Sequence, residues 1–193
     1  MKFFLKIVAA LGFQCALIIQ SNQALAQPNR VVDEKNGFKD FKLGDPKQKW
    51  ADNIVFEKSV GEMKMYRYNG PCCQQVFDSQ IEKTLLGFSN QTNKLVVIYI
   101  TTPHRPYKVL EGYLTHYESG FKNAFGKPQS TEHEDLPGQN LEQWTYTWYG
   151  TNSSIDLRTY YGPVENGEMY SSVYVMDKRF VMGNRSTKTD SGF

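Results

Sequence analysis

The sequence predicts an α+β fold: a meander-rich antiparallel β-sheet with helices packed on one face. Three observations carry this expectation. Apolar residues alternate or run over strand lengths at Ile54 to Glu57, Met63 to Tyr68, Ile81 to Phe88, Lys94 to Thr101, Gln129 to His133, Leu141 to Tyr149, Ser154 to Tyr161 and Met169 to Met176. Clusters of Gly, Pro, Asn and Ser separate these segments, as tight turns require. Helix signals occur only before each group of four strands, so the order is helix then strands, twice. The two groups share this plan without a residue-level repeat, which leaves one α+β unit or two fused halves as readings.

The elements follow in order. Residues 1 to 26 read as a cleavable signal peptide, with Lys2 and Lys6 at the start, an apolar stretch from Ile7 to Ile19 and the small-x-small site Ala24-Leu25-Ala26. The apolar stretch is 13 residues long, whereas a spanning helix needs about 20. Cys15 lies mid-stretch behind the bulky Phe13 and Gln14, which is the wrong context for lipidation. The mature chain is expected to begin at Gln27 and to be periplasmic or secreted. Residues 27 to 36 are polar and aperiodic, a flexible lead-in, and residues 183 to 193 read as a disordered tail. Between them, 37 to 182 form a single domain.

Within that domain, Asp45 is placed to cap a short helix beginning at Pro46, with Trp50 as its core anchor. Leu95-Val96-Val97-Ile98-Tyr99-Ile100 has no polar face and reads as a central strand. Tyr107, Leu110, Leu114, Tyr117, Phe121 and Phe125 recur at helical spacing, and Gly126-Lys127-Pro128 ends that helix. Trp144, Tyr146 and Trp148 alternate with Thr145 and Thr147, which sends the large rings to one face of a strand and the threonines to the other.

Composition narrows the function classes. The leader takes two of the 22 basic residues and none of the 20 acidic ones, so the mature chain carries 20 of each and no net charge. A nucleic acid or an anionic membrane surface would favour a basic patch, so neither is expected as a partner. No stretch after residue 26 has the length and hydropathy of a membrane span.

Leu43-Gly44-Asp45-Pro46 opening a helix, the Phe88 to Asn93-Lys94-Leu95 hairpin, and Phe125-Gly126-Lys127-Pro128 closing the next helix resemble small secreted bacterial proteins of the β-lactamase-inhibitor-protein and SmpA/OmlA envelope types. That resemblance implies helices on one side of a curved antiparallel sheet and a role in binding another protein. The lipid-bearing cysteine of the lipoprotein members is missing.

Few residues invite chemistry. Cys72 and Cys73 are adjacent and are the only cysteines after the leader. In an oxidising compartment they can close a strained vicinal disulfide, a kind more often regulatory than structural; reduced, they are small apolar fillers. His104, His116 and His133 sit at no metal-ligand spacing from one another or from the cysteines, so no metal and no cofactor is expected. Gly-x-Ser-x-Gly is absent, and Glu132-His133-Glu134-Asp135 reads as a solvated acidic loop. Ile155, Leu157, Val173 and Val175 are the helix-facing sets of their strands, which turns Arg158, Tyr160, Tyr174 and Met176 toward the other face. Thr145, Thr147, Arg158, Tyr160 and Tyr174 are therefore the candidate partner-binding residues, Tyr and Arg being enriched at binding hot spots. The function expected is an exported, non-enzymatic binding or accessory protein of the bacterial envelope or secretome, with a protein partner. The alternatives are a thiol redox or metal-handling protein centred on Cys72 and Cys73, and an enzyme whose site is not visible in linear sequence.

Overall fold

A computed structural model describes residues 27–77, 79–106, 117–136, 138–162 and 167–181. The expected leader, the first part of the helix expected from Tyr107 and the expected tail lie outside these residues.

The stretch expected to be a flexible lead-in is a short helix, α1 (Arg30–Lys35). One turn and a half needs only one apolar anchor, and Val32, 1% exposed, supplies it, so no periodicity is visible in the sequence. Asn29 caps the helix by accepting from the Val31 N–H at 3.0 Å, and Asn36 ends it in the left-handed region with φ 42°. Asp33 then fastens α1 to a distant turn: it accepts from the N–H groups of Thr151 (2.5 Å), Asn152 (3.0 Å) and Ser153 (3.1 Å) and from the Ser153 hydroxyl (3.0 Å). Burial pushes the Asp33 carboxyl up, but these four donors outweigh it and hold the group below its ordinary value.

A two-residue hairpin follows, β1 (Gly37–Phe38) and β2 (Phe41–Lys42). The next helix differs from expectation in its cap and its pitch. It is a 3-10 helix, η1 (Lys47–Asn53), with Pro46 at the cap position. Asp45 does not cap it; its carboxylate bends back to accept from the Lys42 N–H at 3.1 Å and from Lys49 Nζ at 2.9 Å. Trp50 is the anchor, 7% exposed, with its ring edge-on to Phe41 at 4.9 Å.

The sheet dominates the molecule. The first group of its strands is β3 (Ile54–Val60), β4 (Met63–Tyr68), β7 (Lys83–Ser89) and β8 (Leu95–Thr101), with the hairpin β5 (Gln75–Val76) and β6 (Ser79–Gln80) forming a separate two-stranded sheet before β7. After the short β9 (Arg105–Pro106) and the helix α2, whose described part covers 117–125, come β10 (Ser130–Leu136), β11 (Leu141–Tyr149), β12 (Ser153–Tyr161) and β13 (Glu168–Asp177). Among the described residues, nine of these strands form one antiparallel sheet with the order β10-β11-β12-β13-β8-β7-β4-β3, β9 pairing with β13. The last long strand of each group thus lies beside the last of the other, Val173 opposite Ile100 and Tyr174 opposite Tyr99. Strand β8 sits at the centre, as its unbroken apolar run predicts.

Two corrections concern the sheet. Glu132-His133-Glu134-Asp135 is not a loop but the middle of β10, an edge strand among the described residues, whose exposed charges discourage pairing with other chains. Of the three large rings of β11, only Trp148 is fully buried; Trp144 is half-buried and stacks on His133, its cross-strand neighbour on that edge, at 4.5 Å.

One buried cluster joins Val32 of α1, Phe41 of β2, Trp50 of η1 and Tyr117 and Phe121 of α2 to Leu86, Ile98, Ile100, Trp148, Ile155, Leu157, Val173 and Val175 of the sheet. Gly126 ends α2 with φ 77°, and its carbonyl accepts from Trp148 Nε1 at 2.8 Å, which pins the helix end to the sheet.

Candidate functional site

Residues directly opposite one another in an antiparallel pair share a face, so register alone assigns the two faces of the sheet. The row Trp148, Ile155, Val175, Ile98, Leu86 and Tyr66 faces the buried cluster. The adjacent row Thr147, Asp156, Tyr174, Tyr99, Leu85 and Arg67 faces the other way. A parallel row on that second face runs Glu132, Thr145, Arg158, Ser172 and Thr101, and a third runs Glu134, Gln143, Tyr160 and Tyr170. Thr145, Thr147, Arg158, Tyr160 and Tyr174 therefore all stand on one face, on three neighbouring strands.

Their side chains meet. The Arg158 guanidinium lies over the Tyr174 ring at 4.6 Å, and Tyr174 packs on Tyr99 with ring centres 4.7 Å apart. Tyr160 stacks on Tyr170 at 4.5 Å, and Tyr170 on His104 at 4.2 Å, while His104 Nδ1 is 3.0 Å from a Glu168 carboxylate oxygen. These stacks make a strip of half-buried rings over β13 and its neighbours. Burial raises the hydroxyl pKa of Tyr99, Tyr174 and Tyr170, in each case with a further push from a neighbouring tyrosine, so the phenols stay protonated donors. For Arg158, burial works against the charge, but Tyr174, Tyr160 and Asp156 outweigh it and the guanidinium is held more firmly protonated. Its Nε finds no hydrogen-bond partner among the described residues.

Beside the strip lies a groove of about 410 Å³ lined by Glu132, Glu134, Gln143, Thr145, Thr147, Asp156, Arg158, Met176 and Lys178. Asp156 sits in it only 9% exposed, 3.6 Å from the Arg158 guanidinium. Burial pushes the Asp156 carboxyl up, Arg158 and Thr147 pull it back, and the group remains above its ordinary value. At the far side of the same face Glu57 bridges Arg67 at 2.9 Å and Lys83, and these two hydrogen bonds bring its carboxyl down to about 2.

The sequence-level set thus lacks Tyr99, Tyr170, Asp156, Gln143 and His104. Asp156 shares parity with Arg158, and Tyr170 with Tyr174, so the two-residue period could have supplied both. Tyr99 could not be found that way, because its strand is apolar on both faces.

The cysteines lie elsewhere. Cys72 and Cys73 are joined as a vicinal disulfide, with Cys73 in the left-handed region at φ 66°. The Tyr68 hydroxyl donates to Cys72 Sγ at 3.2 Å. The Asp40 carboxylate, from the β1–β2 turn, comes within 4.8 Å of both sulfurs, a grouping that spacing along the chain does not reveal.

Comparison with protein-family models, with curated proteins and with solved structures found no match.

Proposed function

We propose that the protein is an exported, non-enzymatic binding protein of the bacterial envelope or secretome, in which α1, η1 and α2 cover one face of the sheet and leave the other to a protein partner. The observation that carries this reading is the strip of stacked rings on the second face, with Arg158 laid over Tyr174. Rings held against one another lose little rotamer freedom on binding. Leader-like residues 1 to 26 and the resemblance to secreted inhibitor and envelope proteins favour the same reading. No helix of the described residues is long and apolar enough to cross a membrane.

The test places a photo-crosslinking residue at Tyr160, at Tyr174 and, as control, at the exposed Asn123 of α2. Crosslinks to one protein from the first two positions and none from the third are expected. Arg158→Ala and Tyr174→Ala should each weaken capture of that protein by about 2 kcal/mol or more, the scale of hot-spot truncations. Unchanged capture by both variants would place binding elsewhere.

A second reading is favoured by the disulfide itself: a thiol redox or metal-handling role for Cys72 and Cys73, with Asp40 as the neighbouring carboxylate. Reduced protein that takes up no soft metal ion, together with oxidised protein whose disulfide does not exchange with a small dithiol, would dismiss it.

A further inference from the structure

A second hollow lies on the opposite side of the sheet from the ring strip. It has a volume of about 400 Å³, its floor is Ile155, Val173 and Val175 of the sheet, and its walls include Val76, Phe77, Phe121 and Phe125. The floor residues belong to the buried cluster, so the hollow lies directly over it. Ala124 of α2 leaves room in one wall where a larger side chain would close it.

The mouth is of opposite character. Lys35, Lys39 and Lys42, all exposed, border the same hollow. Lys35 Nζ stands 5.1 Å over the Phe125 ring and Lys39 Nζ 5.8 Å over the Phe38 ring, so both ammonium groups lie against aromatic rings that line the hollow. Lys42 Nζ donates to the Lys35 carbonyl at 2.8 Å, which brings it to the same rim. Lys49, Lys83 and Lys122 are each paired with a carboxylate, but among the described residues none of the three rim lysines is. Asp40, the acid in the same turn as Lys39, has its carboxylate beside the two cysteine sulfurs instead.

An apolar hollow of this size under three ammonium groups that have no carboxylate partner among the described residues is complementary to a single apolar chain that ends in an anion. We infer that this is a binding site for a free fatty acid, with the hydrocarbon chain between α2 and the sheet and the carboxylate among Lys35, Lys39 and Lys42. The site is independent of the ring strip and does not rest on the reading proposed for it.

Isothermal titration of the purified protein with decanoate, below its micelle concentration, tests the inference, with hexanoate and decanol as comparison ligands. One saturable site for decanoate is expected. Hexanoate should bind about two-hundred-fold more weakly, since four methylenes are missing from the burial. Decanol keeps the chain but lacks the charge, so it should bind roughly ten-fold more weakly than decanoate. Lys35→Gln, Lys39→Gln and Lys42→Gln combined, which remove the charges but keep most of each stem, should bring decanoate down to the level of decanol and leave decanol nearly unchanged. Ala124→Trp should abolish binding of both, with near-ultraviolet circular dichroism confirming that the variant is folded. Because the lysines are exposed, their variant keeps the test decisive even if the Trp variant fails to fold. Decanol binding as tightly as decanoate, a lysine variant that binds decanoate normally, or folded protein with no saturable decanoate site would each overturn the inference, whatever else then fills the hollow.

Discussion

Replacing Phe121 by alanine removes a ring that is 3% exposed and touches four others: Phe77 at 5.1 Å, Trp148 at 5.7 Å, Phe125 at 6.0 Å and Tyr117 at 6.5 Å between centres. Deleting a buried phenylalanine costs about 3 to 5 kcal/mol, and lost ring contacts push toward the upper end. The hollow of about 400 Å³ alongside it acts the other way, because one side of the new space is already open and the walls can relax into it. The loss should therefore fall near the bottom of the range, at about 3 kcal/mol. Urea unfolding followed by tryptophan fluorescence is the assay, since the Trp148 indole packs on the deleted ring. Phe121→Leu, which refills most of the volume, should recover more than half of the loss. In a domain of this size a loss of about 3 kcal/mol lowers Tm by roughly 6 to 12 °C. A loss below about 1 kcal/mol, the scale of most surface changes, would mean that α2 does not hold the sheet through this stripe.

Asp156 predicts a pH effect of unusual sign. Its folded-state pKa is raised, so the native protein loses stability as pH climbs from the ordinary carboxyl range through the raised value, and Asp156→Asn should be at least as stable as the parent at about pH 7, with the difference closing at about pH 3 in thermal melts. Asp33 predicts the reverse. Its folded pKa is depressed, so its contribution is present above the ordinary carboxyl range and fades as pH falls through the depressed value, and Asp33→Asn should cost about 1 to 2 kcal/mol near neutral pH and progressively less as pH falls below that range, by chemical denaturation. Gly150→Ala should also loosen that anchor, because a Cβ there would collide with the Asp33 carboxylate; a variant as stable as the parent would show that the turn can shift without cost. Finally, thiol titration of the folded protein should find no free thiol at Cys72 or Cys73 before reduction and two after it; thiols free from the start would leave the reduced-filler reading standing.

How much of this is legible in the sequence depends on how local each feature is. The two-residue period of a strand is imposed by the pleat, so the common face of Thr145, Thr147, Arg158, Tyr160 and Tyr174 follows from the order of residues alone, as do the unbroken central run at Leu95 to Ile100 and the glycine end of α2. The capping of η1 departs from the sequence expectation for an equally local reason: Asp45 has two sets of donors within reach, and the turn before it wins over the helix after it. Helix α1 escapes a sequence reading because a single buried Val32 and a carboxylate spent on residues 151 to 153 leave no pattern in the first ten residues of the fold. What only the tertiary structure decides are the meetings between distant segments. Strand β8 lies against β13, which sets Tyr99 on Tyr174; the β1–β2 turn reaches the cysteines, which puts Asp40 beside them; and the same hairpin closes one side of the apolar hollow with Lys39 and Lys42. Periodicity fixes which way a side chain points from its own strand, but not which strand lies next to it. That choice depends on register and burial summed over the whole sheet, a sum to which no single segment of the chain gives access.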